Sequence, residues 1–319
     1  MIDLTVIIPV YNAGLLIGRC LDSIFTQHVE YEVEVICIDD GSTDNSVEII
    51  KNRKEQNIIL LRQPNSGPAA ARNKGIAAAK GRYLAFLDAD DYWQPEFISE
   101  TISFLDAHQE CIAVSVAQRH ITLSGDHLAP SYISESGHRK EGFVLDDFYT
   151  FWAKYNHICT GSITIRTHIA QQTGGQREEL RICEDLEFWA YLATFGQFGF
   201  IPEVLFVSDG LKVTNEIGWV EKNKKRWASA PTVENWERRI IARDVPLSPY
   251  YVMARGKIAR NLCYSMILSK REELAYQQIR IYKNDFPKGL MSTIFKIGTS
   301  NRAVWKIITS LLIHREYHR

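Results

Sequence analysis

The sequence predicts an α/β fold, a mostly parallel sheet flanked by helices, followed by a helical C-terminal region. Three observations predict it. Short β-branched apolar runs recur between segments of helical periodicity. Those runs are apolar throughout rather than alternating, as in strands buried on both faces. Acidic clusters follow two of them directly, at the strand ends where parallel sheets bind ligands.

Thr5 to Pro9 (TVIIP) is the first strand, and Leu16, Ile17, Cys20, Leu21, Ile24 and Phe25 then repeat at helical spacing over about 14–27. Glu34 to Ile38 is a second strand, ending in Asp39-Asp40-Gly41-Ser42-Thr43-Asp44, where Ser42 or Thr43 is expected to cap a helix through Ile50. Ile58 to Leu61 is a third. The Ala-rich stretch 67–80 is a helix, with Gly81 as its expected C′ residue. Tyr83 to Leu87 runs into Asp88-Ala89-Asp90-Asp91, and Pro95 marks the next helix start. Further on, strands are expected over 112–118, 121–123, 162–165 and 198–207, with a helix over 185–195. Beyond about 211 the pattern turns helical. The expected division is 1–210, with halves 1–91 and 92–210, then 211–319.

Composition narrows the function. Among 319 residues, Lys plus Arg is 37 and Asp plus Glu is 38, giving a net charge of −1 and no global basic field for nucleic acid. No two of the six cysteines form a C-x-x-C pair, so they read as reduced thiols of a cytoplasmic protein rather than zinc ligands. Met1-Ile2-Asp3-Leu4 has no basic n-region and no apolar run reaches transmembrane length, so neither a signal peptide nor a membrane-spanning helix is expected.

Asp88 and Asp90 stand two apart at a strand end, where alternate side chains face the same way. Two convergent carboxylates repel each other unless a cation sits between them, and Mg²⁺ or Mn²⁺ suits carboxylate and phosphate oxygens together. A D-x-D pair alone marks a solvated turn as readily as a metal site. Asp39-Asp40 has the same two readings, a ligand contact or an Asx-type turn.

The order of the pieces is more specific than any one of them. T-V-I-I-P-V-Y-N (5–12), D-D-G-S-T-D (39–44), N-S-G-P-A-A-A-R-N-K-G (65–75) and D-A-D-D (88–91) precede G-G-Q-R-E-E-L-R-I-C-E-D-L-E-F-W (174–189). This set resembles the inverting glycosyltransferases of family two, which have the GT-A fold, over roughly residues 1–207. The resemblance implies that Pro9, Val10 and Tyr11 line the nucleotide. Asp40, with Asp39 beside it, would contact the base, typically uracil, and Arg72 would lie near the nucleotide-sugar. Asp88 would meet the ribose or the metal, Asp90 would hold the metal (Mn²⁺ or Mg²⁺) against the diphosphate, and Asp185 would be the general base. It implies a nucleotide-sugar donor, UDP-linked, and a glycan or lipid-linked acceptor. The acids at 184–187 also suit a helix N-terminus on dipole grounds alone. Val207-Ser208-Asp209-Gly210 departs from the family, many of whose members carry Arg or His there. Lys212, or the run Lys222, Lys224, Lys225 and Arg226, is the expected replacement.

A sugar nucleotidyltransferase would want a glycine-rich phosphate loop after the first strand, which Pro9 to Gly14 does not supply. A non-catalytic sugar-binding protein would have no use for Asp88, Asp90 and Asp185 together. Residues 288–319 carry six Lys or Arg and one acid, a net of +5, among apolar residues with Trp305. Such a segment either lies peripherally on the inner face of an anionic membrane or packs on the rest of the chain.

Overall fold

The structure, a computed structural model, describes residues 1–27, 30–122, 125–130, 141–209 and 219–317, with nothing stated of the side chains of 219–222. The chain divides into two compact units, Met1–Glu178 with Phe188–Asn215, and Glu179–Glu187 with Glu216–Arg319.

The first unit is a mixed sheet between helices. Its strands are β1 (Leu4–Val10), β2 (Val33–Asp39), β3 (Ile58–Arg62), β4 (Tyr83–Phe86), β5 (Tyr92–Trp93), β6 (Cys111–Thr122), β7 (Gly125–Ala129), β8 (Phe143–Val144), β9 (Ile163–Arg166) and β10 (Gln197–Asp209). They stand in the order β3-β2-β1-β4-β9-β6-β10-β5, with β7 on β6 and β8 on β10. The pairs β3-β2, β2-β1, β1-β4 and β6-β10 are parallel, while β9 runs antiparallel to both β4 and β6. From β1 the chain passes to β2 and β3 on one side and to β4 on the other. The carboxyl ends of β1 and β4 therefore flank a topological switch point, where open α/β sheets hold their ligands.

The apolar runs become this core. Leu4, Val6, Ile8, Val35, Cys37 and Ala85 are wholly buried with Ile17, Cys20 and Leu21 of α1 (Ile17–Phe25). Helix α2 (Ser46–Lys51) follows β2, and α3 (Pro68–Ala78) lies close against β1: a Cβ on Gly75 would stand 2.4 Å from Ile7 Cγ2. Helix α4 (Phe97–Ala107) buries Phe97, Ile98 and Ile102, while α5 (Phe148–Tyr155) and α6 (Thr167–Gln172) complete this part. The helix α7 (Glu184–Leu192) comes next, and the division between the units falls inside it, after Glu187.

Three local expectations are corrected. Ser42 and Thr43 do not cap α2; Asn45 holds that position, because Ser42 Oγ accepts from the Asn12 N–H at 3.0 Å and the Thr43 N–H donates to Asn12 Oδ1 at 2.8 Å. Gly81 is not a left-handed cap, since α3 ends at Ala78 with Ala79 extended. Gly81 serves close approach instead: a Cβ there would lie 2.5 Å from the Thr5 nitrogen, and its N–H donates to Thr5 Oγ1 at 2.9 Å. Residues 112–118 and 121–123 are one strand, β6, because its register with β10 runs on to Asp209↔Ile121. The two-residue β5 and β8 were not expected.

The second unit is helical, with α8 (Trp219–Ala228), α9 (Val233–Ile241), α10 (Tyr251–Leu268), α11 (Glu272–Tyr282), α12 (Leu290–Gly298) and α13 (Arg302–Tyr317). Ile258, Leu262, Met266 and Ile267 of α10 are buried. Among the described residues no helix is long and apolar enough to cross a membrane.

Candidate active site

Five separate motifs are tied together by side-chain hydrogen bonds in the first unit. Asp44 binds the loop after β1 to the start of α2: its Oδ2 accepts from the Gly14 N–H at 2.9 Å and its Oδ1 from the Ser46 N–H at 3.0 Å. Asp39 is fully buried. Its Oδ1 accepts from the Ser42 N–H at 2.9 Å and its Oδ2 from Arg62 Nε at 3.0 Å. Burial pushes its carboxyl up, but the bonds from Ser42 and the Arg62 charge outweigh that and hold it below the ordinary carboxylate value. Asp40 is buried as well. Its Oδ1 accepts from Gln63 Nε2 and the Ser66 N–H, and its Oδ2 from the Gly67 N–H, each at 2.8 Å. Both acids thus shape the loop that leads into α3, where Gly67 adopts φ +93°.

Arg72 is buried on α3. Its Nη2 donates to Asp88 Oδ1 at 2.7 Å and its Nη1 to Gln176 Oε1 at 3.3 Å. The next residue, Asn73, donates to the Gln176 carbonyl at 2.8 Å and accepts from the Gln176 N–H at 2.7 Å. Gly174 and Gly175 take positive φ, and a Cβ on Gly175 would meet Asn73 Oδ1 at 2.3 Å. The A-R-N segment therefore joins the acidic turn to the glycine turn.

In the acidic turn, Asp88 and Asp90 are half-buried and Asp91 is buried. Burial, with Asp88 and then Asp90 nearby, pushes the Asp91 carboxyl up to about 8. Asp88 keeps one oxygen bound by Arg72, and among the described residues no group donates to its other oxygen. No set of three or more His, Cys, Asp or Glu side chains is arranged to hold a metal among the described residues. Two carboxylates fit Mg²⁺ or Mn²⁺ when substrate oxygens and water supply the other positions.

Of the three residues expected beside a nucleotide, Val10 has its side chain wholly in the core and Pro9 is half-buried, while Tyr11 is 54% exposed. Trp93 is buried and stacked on Phe97 at 4.0 Å, and Trp189 is buried too, as core packing expects. His157 is buried among Phe148 and Phe151.

Sequence reasoning missed Arg19 and the role of Asp209. Arg19 donates from Nη1 to Asp209 Oδ2 at 2.6 Å and from Nη2 to the Asp90 carbonyl at 2.7 Å, with its guanidinium 4.6 Å from the centre of the Tyr92 ring. The Asp209 N–H donates to Asp91 Oδ1 at 3.2 Å. Only the helical position of Arg19, one residue before Cys20 on a buried face, hinted at this. Lys212 and the side chain of Lys222 lie outside the described residues.

Asp185 belongs to the second unit, half-buried in the first turn of α7. Its Oδ1 accepts from the Leu186 N–H at 2.8 Å. That turn is anchored on α9. The wholly buried Glu187 accepts from Arg239 Nε at 3.1 Å and from Nη2 at 2.6 Å, and Trp236 Nε1 donates to the Cys183 carbonyl at 3.1 Å. Cys183 itself adopts φ +59°, a strained value for a side-chain-bearing residue.

The chain is 51% identical over 94 residues to the uncharacterized glycosyltransferase YibD of Escherichia coli, a match covering 29% of this chain and 27% of that protein. It is 40% identical over 116 residues to the poly(ribitol-phosphate) beta-glucosyltransferase of Bacillus spizizenii, covering 35% of this chain and 18% of that enzyme. The matches thus span about a quarter or less of those relatives' lengths. Among solved structures, Staphylococcus aureus TarS 1–349 in complex with UDP-GlcNAc has a TM-score of 0.67 at 17% identity, covering 90% of this chain and 82% of that one, which shows a shared fold. The model of the family described as glycosyl transferase family 2 matches residues 5–170, more than half of the chain, and the chain belongs to that family.

Proposed function

We propose that this chain is a metal-dependent, inverting transferase that moves a sugar from a UDP-linked donor to a hydroxyl of a glycan or lipid-linked acceptor. The observation that carries the reading is the Asp88–Asp91 turn at the switch point, joined through Arg72 to the glycine turn at 174–176. UDP as the nucleotide is supported by the fold shared with TarS, whose structure contains UDP-GlcNAc.

Asp90 and Asp88 would hold Mn²⁺ or Mg²⁺, which supplies Lewis-acid neutralisation of the leaving diphosphate. Arg72 keeps Asp88 in one orientation. Tyr11 and the loop shaped by Asp39 and Asp40 form the nucleotide side. Asp185 takes the proton of the acceptor hydroxyl as its oxygen attacks the anomeric carbon. The new C–O bond forms on the face opposite the diphosphate, whose own C–O bond breaks with its electron pair, so the configuration inverts.

The reading includes a cytoplasmic enzyme that touches the inner membrane face through 288–319. Its support is the exposed apolar set Leu290, Ile297, Ile307 and Leu311, interleaved with exposed Lys288, Lys296, Lys306 and Arg315.

Thermal-shift binding of UDP, GDP, CMP and dTDP and their sugars, with and without Mn²⁺, tests the core of the reading. UDP should raise the melting temperature only with metal, and Asp90→Ala should abolish the rise. Asp185→Asn should keep that shift while transfer falls by roughly 10²- to 10⁴-fold. Loss of binding with transfer intact in Asp185→Asn would remove the base assignment.

A further inference from the structure

Helix α1 presents one line of side chains to the backbone of residues 88–98. Cys20 Sγ donates to the Asp88 carbonyl at 3.6 Å, and Arg19 Nη2 to the Asp90 carbonyl at 2.7 Å. Ser23 Oγ accepts from the Trp93 N–H at 3.2 Å. Gln27 closes the line, its Nε2 donating to the Gln94 carbonyl at 2.6 Å and its Oε1 accepting from the Ile98 N–H at 3.1 Å. Residues 19 or 20 and 23 stand about one helical turn apart on α1, and Gln27 follows just beyond its end, so one face of the helix and the turn after it serve as a rail for the segment that carries the acidic turn.

Arg19 is the charged member of this rail and also binds a residue outside 88–98. Its Nη1 ion pair with Asp209, whose side chain is 10% exposed, ties the rail to the end of β10. Asp209 in turn donates its N–H to Asp91. The planar guanidinium thus holds two acceptors in fixed directions while stacking on Tyr92, which an ammonium cannot reproduce. Arg19 touches none of the carboxylate oxygens of Asp88 or Asp90, so it does not compete with a cation there. It fixes the peptide from which the Asp90 side chain projects.

We infer that Arg19 is a positioning residue for divalent-cation binding by the Asp88–Asp90 turn, acting through the Asp90 carbonyl and Asp209. The inference rests on the metal-dependent transferase reading above. Residues that orient metal ligands from behind commonly change metal affinity by roughly 10- to 100-fold when replaced.

The test titrates Mn²⁺ at fixed UDP and reads the thermal shift, alongside transfer kinetics, for the unsubstituted chain, Arg19→Gln, Arg19→Lys and Asp90→Ala. Arg19→Gln is expected to raise the Mn²⁺ concentration for half-maximal shift by about tenfold or more. With saturating metal its KM for donor should stay near that of the unsubstituted chain. Arg19→Lys should recover part of the loss, since one ammonium can reach one of the two acceptors. If Arg19→Gln lowers the ligand-free melting temperature but leaves the Mn²⁺ midpoint unchanged, Arg19 is only structural and the inference falls. If the unsubstituted chain shows no metal-dependent shift, or Asp90→Ala retains it, the metal reading fails first and takes the inference with it.

Discussion

Asp40 is the residue on which most of the loop before α3 hangs, because three donors converge on one buried carboxylate. Asp40→Ala removes the acceptor of the Ser66 and Gly67 N–H groups, at a cost of about 1.5–3 kcal/mol for each hydrogen bond to the carboxylate. Urea unfolding should show a lower midpoint with an unchanged slope. Asp106 gives the pH dependence a sign. Burial raises its carboxyl, but the Tyr83 and Arg82 hydrogen bonds outweigh that and bring it below its ordinary 3.8. A carboxylate lowered in the folded state contributes stability that is present above its unfolded value and is lost as pH falls through the folded one. Urea midpoints measured from pH 6 downward should therefore fall more steeply below about pH 4 in the unsubstituted chain than in Asp106→Asn. What was legible in the sequence is the set of ordered motifs, which side-chain hydrogen bonds join from Asn12 to Gln176. Arg19 and Asp209 were not legible as a pair: 190 positions separate them, and an ion pair leaves no periodic trace.

Secondary-structure elements were legible where burial is two-sided. β1, β2 and β4 are continuous apolar runs, and their edges fell within a residue or two. β5 and β8 were illegible because two residues define no period. The end of α3 was misread because Gly81 has two reasons to be glycine, and close packing against Thr5 is the operative one. Gly75 makes the same point about helix packing. Alanine would favour the helix by about 1 kcal/mol on propensity alone. The Cβ contact of 2.4 Å with Ile7 predicts the reverse, a net destabilisation of about 1–3 kcal/mol. A double-mutant cycle of Gly75→Ala with Ile7→Ala, which removes the γ carbons that the new Cβ would meet, should be non-additive, the second change relieving the first. Additive effects would place the strain elsewhere.

On the scale of the whole molecule, apolar exposure is uneven. Ile241, Tyr250, Val252, Met253, Ile281, Leu290, Ile297, Ile307 and Leu311, all in the helical unit, are exposed. Ile307 and Leu311 lie four apart on α13, beside Lys306 and Arg315. Replacing both with Glu should abolish co-sedimentation with phosphatidylglycerol vesicles while leaving nucleotide-induced melting shifts in place; neutral phosphatidylcholine vesicles should bind neither form. The change from strand-helix alternation to helices near 210 was readable from periodicity. The grouping of Glu179–Glu187 with the C-terminal helices was not, because nothing in local sequence announces a buried Glu187 partner 52 residues away.

That grouping bears on how the protein can be dissected. A fragment cut after Asn215 looks like a whole catalytic domain by its motifs, yet it discards Trp236 and Arg239. Glu187 would then lose both hydrogen bonds from the Arg239 guanidinium, and the Cys183 carbonyl its bond from Trp236. The fragment is expected to keep the Asp88–Asp90 turn and its nucleotide response. The peptide around Asp185 should become the first stretch opened to limited proteolysis, two residues from the missing anchor. If Asp185 is the base proposed above, the C-terminal helices serve the reaction through the seating of that one carboxylate.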